Sequence, residues 1–179
     1  MVNTDLAALT RSVRSVPDFP KPGIMFRDIT TLLKDKDMFA RAADILTEHY
    51  RNARIEKIVC VESRGYILGA VLAYRLKAGF VPVRKPGKLP AATLREEYQL
   101  EYGIDALEMH TDAIQQGERV LVHDDLLATG GTMQATCRLV ERLGGKIAGI
   151  SFLIELDFLK GRDRLGDHEI FSIIRYDRE

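Results

Sequence analysis

The stretch Val120-Leu121-Val122-His123-Asp124-Asp125-Leu126-Leu127-Ala128-Thr129-Gly130-Gly131-Thr132 decides how the chain is read. It opens as a short apolar strand and ends in two adjacent carboxylates. A loop of small residues follows, rich in hydroxyls and glycine, and then a helix. Carboxylates are poor partners for phosphate but accept hydrogen bonds well from sugar hydroxyls. Thr-Gly-Gly-Thr does the opposite: its backbone N–H groups and hydroxyls suit a phosphate, and the helix start behind it adds about half a positive charge. One loop thus offers an acceptor for a sugar diol beside a phosphate cradle, and the guest that fits both is a ribose 5-phosphate. A P-loop would end in Gly-Lys-Ser/Thr, and a dinucleotide turn would put Gly-x-Gly-x-x-Gly directly after the strand; the string has neither. An Asp-Asp or a Gly-Gly alone reads as an ordinary bend, whereas the whole string, between strand and helix, reads as a site.

Working outward, the chain alternates strand and helix. Residues 58–61 read as a buried strand running through Glu62-Ser63-Arg64-Gly65 into a helix over 66–76, closed by Gly79; 80–83 is the next strand. The strand 119–123 opens the central string, and the helix after it carries Met133, Cys137 and Val140 on one face and ends near Gly144-Gly145. Residues 147–156 form the last long strand. Upstream, Leu6, Leu9, Val13 and Val16 recur at helical spacing behind a Thr4 cap, and Pro17, Pro20 and Pro22 predict an extended segment ending at Gly23. Asp37 is placed to cap a second helix bearing Phe39, Ala43, Leu46 and Tyr50. This order predicts an α/β fold with a mostly parallel sheet flanked by helices, whose ligands collect at the carboxyl ends of the strands.

Residues 95–110 break the pattern. Tyr98, Leu100 and Tyr102 alternate with Glu97, Gln99 and Glu101 before Gly103 turns the chain, which predicts a polar β-hairpin inserted among α/β units, a lid too polar for core. Glu101 could act on a proton of an incoming nucleophile once such a lid excludes water; Glu96, Glu97 and Glu108 compete for that role.

Bulk properties bound the function. The chain has 179 residues, 46% hydrophobic and 29% charged, with 26 Lys plus Arg against 26 Asp plus Glu. That predicts one globular domain over 1–179 and no global field drawing it to nucleic acid or anionic membrane, while the segment 1–35 reads as an N-terminal helix followed by a candidate base-binding stretch at 22–28. Cys60 and Cys137 lack Cys-x-x-Cys spacing and read as reduced core thiols. No apolar signal core or membrane-length run is present, so cytoplasm is the default expectation.

Three further segments carry chemistry. In Glu62-Ser63-Arg64-Gly65 the arginine fork and the turn's N–H groups suit a second phosphate. Arg84-Lys85-Pro86-Gly87-Lys88-Leu89-Pro90 puts three cations on a proline-stiffened loop, either solvated or neutralising the same polyanion. In Pro22-Gly23-Ile24-Met25-Phe26-Arg27-Asp28, Phe26 could stack on a planar base or simply plug a core edge. Strand alternation points His123 away from Asp124, which argues against a metal ligand there.

In this order the segments resemble the type I phosphoribosyltransferases, whose phosphoribosyl-diphosphate signature the 120–132 string matches. Phe26-Arg27-Asp28-Ile29, Glu62-Ser63-Arg64-Gly65, Arg84-Lys85 with Gly87-Lys88-Leu89-Pro90, Tyr98-Gln99-Leu100-Glu101-Tyr102-Gly103, and Glu155-Leu156 with Leu159-Lys160-Gly161-Arg162 resemble the adenine-using branch over nearly the full length. The resemblance implies transfer of 5-phosphoribosyl from 5-phosphoribosyl 1-diphosphate to adenine, giving AMP and pyrophosphate, in a homodimer with magnesium carried by substrate oxygens and water. It implies that Asp124 and Asp125 hold the ribose hydroxyls and that Ala128, Thr129, Gly130, Gly131 and Thr132 bind the 5-phosphate. Glu62, Ser63, Arg64 and Gly65 with Lys88, and Arg84 of the partner subunit, would hold pyrophosphate. Phe26 and Leu156 would sandwich adenine, with the Arg27 backbone reading its edge, and Glu101 and Arg64 would be the catalytic side chains. It further implies a cis Glu62–Ser63 peptide. His123 departs from the aliphatic residue usual before the acid pair. A guanine or xanthine enzyme would differ at the Phe26-Arg27 segment. A ligand-sensing nucleic-acid regulator is disfavoured by zero net charge and by the short stretch before residue 20.

Overall fold

The computed structural model describes residues 2–99 and 103–178, with backbone alone at 2–5 and 104. Five strands form one parallel sheet in the order β4-β3-β7-β8-β9: β3 is Lys57–Val61, β4 Gly79–Val83, β7 Arg119–Leu127, β8 Lys146–Leu156 and β9 Ile170–Tyr176. Their apolar runs are continuous because both faces are covered. On β3, Ile58 and Cys60 join one core with Leu9, Leu46, Leu68 and Leu72, while Val59 and Val61 join the other with Val122, Leu139 and Phe152. Helices α1 (Val2–Ser12), α3 (Lys36–Tyr50) and α4 (Gly65–Leu76) build the first layer, with the single turn α2 (Thr30–Leu33); α5 (Gly131–Arg142) covers the second. Among the described residues no helix is long and apolar enough to cross a membrane.

Several local expectations are corrected. The α1 helix begins at Val2, so Thr4 lies inside it rather than capping it. Asp35, not Asp37, caps α3, accepting from the N–H groups of Asp37 and Met38 at 3.0 and 3.1 Å. At the end of α4 the left-handed residue is Lys77 (φ 56°), and Gly79 opens β4 instead. The proline segment folds back, with Gly23 N–H on Asp18 Oδ1 at 2.8 Å, and joins two short antiparallel strands, β1 (Arg14–Val16) and β2 (Phe26–Asp28). Strand β8 is not the last, since β9 adds a parallel edge beyond it.

The hairpin consists of β5 (Thr93–Gln99) and β6 (Ile104–His110), paired antiparallel. It is less polar than expected. Tyr98, Ala106, Leu107 and Met109 are buried, and Leu107 and Met109 belong to the core beneath α5. Alternation puts Tyr98, Leu107 and Met109 on one face together with the ion-paired Glu96 and Asp105, while Arg95, Glu97 and Glu108 share the other with Ala106. Glu96 pairs with Arg138 and Arg142 of α5, fastening the hairpin to the sheet layers.

Close packing between β3 and α4 supplies a stability test. A Cβ on Gly69 would overlap Cys60 Sγ. Gly69→Ala therefore costs about 1–3 kcal/mol in overpacking, against about 1 kcal/mol gained in helix propensity. A net loss in chemical denaturation is expected, with most of it restored in the Cys60→Ala/Gly69→Ala pair.

Candidate active site

The parallel topology aims the carboxyl ends of β3, β4, β7 and β8 at one edge, and there a cleft of about 300 Å³ opens. Its walls include Glu62, Ser63 and Arg64 after β3, the acids Asp124 and Asp125, and the whole run from Leu126 to Met133. The acid pair lies inside β7, which continues to Leu127, and not in the loop beyond a shorter strand. Hydrogen bonding to β8 thus fixes the carboxylates by ladder rather than by loop.

Asp125 is 5% exposed and faces Arg64 Nε at 2.8 Å as an ion pair, without an aligned hydrogen bond to that oxygen. Its N–H donates to Asp124 Oδ1 at 2.8 Å. Burial pushes both carboxyls above the ordinary range. The charge of Asp125 raises Asp124 further, while Arg64 partly relieves Asp125. Two desolvated acceptors side by side favour a ligand that brings hydroxyl donors.

The loop 128–132 behaves differently. Gly130 adopts φ 82°, and α5 starts at Gly131 with no side-chain cap on its first N–H groups. Residues 128–133 line the cleft, and uncapped N–H groups at a helix start have the chemistry to receive an anion. Ser63 and Arg64 lie across from the loop, and the Glu62–Ser63 peptide is cis. Gly65 opens α4, and a Cβ there would lie 2.7 Å from Asp124 Oδ1, so this turn meets β7 through a bare Cα.

The basic loop is less free than its composition suggests. Arg84 donates to Glu62 Oε2 at 3.0 Å and to the Lys88 carbonyl at 3.1 Å. The Glu62 carboxyl is pushed up by burial, but the Lys85 N–H and Arg84 outweigh that and hold it below its usual value. Lys88 is exposed and Arg84 half-buried, and neither lines the cleft. Lys85 does line it, paired with Asp105 and bonded to Tyr98 Oη at 3.2 Å. Lys85 is one of the three cations that the sequence places on this loop, whereas Tyr98 and Leu107 are cleft residues to which it gave no binding role; for those two the inward alternation of β5 and β6 was the signal.

Of the base-binding candidates, Phe26 lies 5.3 Å beneath the Arg64 guanidinium, which links it to the cleft. The Arg27 side chain turns onto the Tyr176 ring at 3.9 Å and to Ser15. Leu156 ends β8 beside Tyr176 and packs on the first core; Phe26, Arg27 and Leu156 do not line the cleft themselves. Glu101 lies outside the described residues. Its competitors are engaged elsewhere: Glu96 on α5, Glu97 with Arg95, and Glu108 on the Gly87 N–H at 3.0 Å. His123 is fully buried, its Nδ1 2.9 Å from Ser151 Oγ, and burial pushes its pKa down to about 4, so it is a neutral packing residue.

A doubly covered parallel sheet carrying adjacent acids and a glycine-rich anion loop at its carboxyl edge defines a class, and the matches to known proteins agree. A phosphoribosyl transferase domain model matches residues 28–177, so the chain belongs to the phosphoribosyltransferase family. The adenine phosphoribosyltransferase of Acidobacterium capsulatum is 62% identical over 164 residues, which cover 92% of this chain and 91% of that protein. The crystal structure of adenine phosphoribosyltransferase from Thermoanaerobacter pseudethanolicus superposes with a TM-score of 0.93 at 51% identity, covering 96% of this chain and 99% of the other. That from Saccharomyces cerevisiae, complexed with an imino-altritol bisphosphate and adenine, gives 0.91 at 38% identity, covering 95% and 98%. Within its family the chain groups with the adenine phosphoribosyltransferases.

Proposed function

We propose that this protein transfers the 5-phosphoribosyl group of 5-phosphoribosyl 1-diphosphate to adenine, releasing AMP and pyrophosphate, a purine-salvage reaction. The observation that carries the reading is the meeting of Asp124 and Asp125 with loop 128–132 in one cleft, facing Arg64. In it, the acids accept from the ribose hydroxyls and Ala128, Thr129, Gly130, Gly131 and Thr132 receive the 5-phosphate. Glu62, Ser63, Arg64 and Gly65, with Lys88 and Arg84 of the partner subunit, surround the pyrophosphate. Phe26, the Arg27 backbone and Leu156 bind adenine, and Glu101 on the hairpin lid handles its proton.

The C1′–N bond forms as the C1′–O bond to pyrophosphate breaks, so positive charge grows on the ribose while negative charge grows on the leaving group. Buried carboxylates under the sugar stabilise the first, and Arg64 with the turn's donors stabilises the second. Holding the base opposite the leaving group contributes up to about 7–11 kcal/mol through orientation. Magnesium would neutralise diphosphate charge. Among the described residues no three His, Cys, Asp or Glu side chains cluster, and Asp125 is already matched by Arg64. Such a donor set fits an ion carried mainly by substrate oxygens and water. A second copy of the chain would cover the exposed Ile67, Tyr74 and Phe80 on α4 and the edge strand β4, completing a cytoplasmic homodimer.

Purified protein is expected to release pyrophosphate from 5-phosphoribosyl 1-diphosphate only when adenine is added, with guanine and xanthine inactive. Turnover of either of those bases without adenine turnover would overturn the assignment.

A further inference from the structure

Beyond the cleft, the carboxylate of Glu155 is 3% exposed near the end of β8. It receives both arms of Arg162, Nε at 2.5 Å and Nη2 at 2.7 Å, and the hydroxyl of Ser172 on β9 at 2.6 Å. A third guanidinium nitrogen, Arg162 Nη1, donates to the Ile170 carbonyl at 3.3 Å. A forked pair with its remaining valences satisfied is geometrically rigid. It belongs to a short 3₁₀ turn, Gly161–Arg164, whose entry residue Lys160 is left-handed at φ 52°.

That turn rests directly on loop 128–132. A Cβ added to Gly161 would overlap the Ala128 carbonyl, and one added to Gly130 would overlap the Gly161 carbonyl. Two backbones meet with no side chain between them. Gln134 of α5 adds a bond to the Arg164 carbonyl at 3.0 Å, and Leu127, which leads into the loop, is the register partner of Glu155. The loop's own side of the contact carries no side-chain cap on α5.

We infer that the Glu155–Arg162 pair is a positioning device for the anion loop: by seating the Gly161–Arg164 turn it fixes the backbone N–H groups of residues 128–132 in their receiving geometry. Glu155 and Arg162 are positioning residues and touch no ligand. The inference rests on the proposed use of that loop for the 5-phosphate. It assigns the pair to the phosphate half of the site, although Glu155 adjoins Leu156 on the base half.

Three variants test it: Glu155→Gln with Arg162→Met, which removes the pair without leaving a lone charge; Arg162→Lys, which keeps the charge and loses the fork; and Gly161→Ala, which disturbs the same contact by sterics. In each, the dissociation constant for ribose 5-phosphate and the KM for 5-phosphoribosyl 1-diphosphate should rise about tenfold, with the KM for adenine within about twofold of the parent. Should the double variant not fold, the other two carry the test. Equal weakening toward adenine and the phosphoribosyl substrate, or no change in any folded variant, overturns the inference. Thr132→Val in the same series separates the two readings. If Thr132→Val weakens ribose 5-phosphate binding and the pair variants do not, the positioning role alone falls. If Thr132→Val has no effect, the phosphate loop itself is misassigned and the inference falls with it.

Discussion

Asp125→Asn is expected to slow turnover by at least about a hundredfold while leaving the fold as stable as the parent, or more so, at neutral pH. The two effects move apart because one side chain serves the ligand at the expense of the fold. Asp125 is buried beside Asp124, and burial holds both carboxyls above their unfolded values. A carboxyl with a raised folded pKa binds its proton more tightly in the folded state. Its contribution to stability is therefore present in acid and is lost as pH rises from about 4 through the raised value. Asparagine removes that loss and relieves Asp124 of a like charge. Arg64, left without its partner, is 41% exposed at the side chain and can be solvated. Urea unfolding of both proteins at pH 5 and pH 7 should show the variant gaining on the parent at the higher pH. In the proposed reaction, the same substitution takes away negative charge beneath a ribose that turns cationic, and that loss is expected in kcat. A parallel fall in activity and unfolding midpoint would mean that Asp125 is a structural residue.

Why this site was readable, and other parts were not, follows from how far apart the interacting groups lie in the chain. The acids and the anion loop are contiguous, so strand, carboxylates, glycine bend and helix could be read from residues 120–132 together. The turn at 62–65 was similarly local. By contrast, Lys85 enters the cleft through Asp105 and Tyr98, partners that depend on the hairpin's register. The brace of Glu155 on Arg162 and Ser172 likewise needs β9, whose partly exposed edge character hid it. Asp35 and Asp37 offer the same capping chemistry two residues apart, and only the backbone angle at Asp35 (ψ 111°) decides between them. Lys77 in a left-handed cap has no glycine to announce it. The pairing of β1 with β2 is held by Arg14 on Asp28, with Asp28 Oδ1 also taking the Thr30 N–H; that set lowers the Asp28 pKa to about 2 and leaves no periodic trace.

The second large effect is expected at Gly65. Its missing Cβ would lie 2.7 Å from Asp124 Oδ1, 3.1 Å from Asp124 Cα and 3.3 Å from the His123 carbonyl. Oδ1 cannot simply swing aside, since it holds the Asp125 N–H, and two of the three obstacles are backbone. Gly65→Ala must therefore push the 62–65 turn away from β7 and carry Arg64 off Asp125. A displacement of that kind at a reacting centre costs about a hundredfold in kcat/KM, and overpacking destabilises by about 1–3 kcal/mol. Gly69→Ala, one helical turn further along α4, is the matched control: it overpacks against Cys60, a residue of the core and not of the cleft. Both variants should lose comparable stability in denaturant titrations, and only Gly65→Ala should lose turnover when assayed well below its unfolding midpoint. If the two lost activity equally, the close approach at Gly65 would be a matter of packing, and the link from the 62–65 turn to the acid pair would carry no catalytic weight.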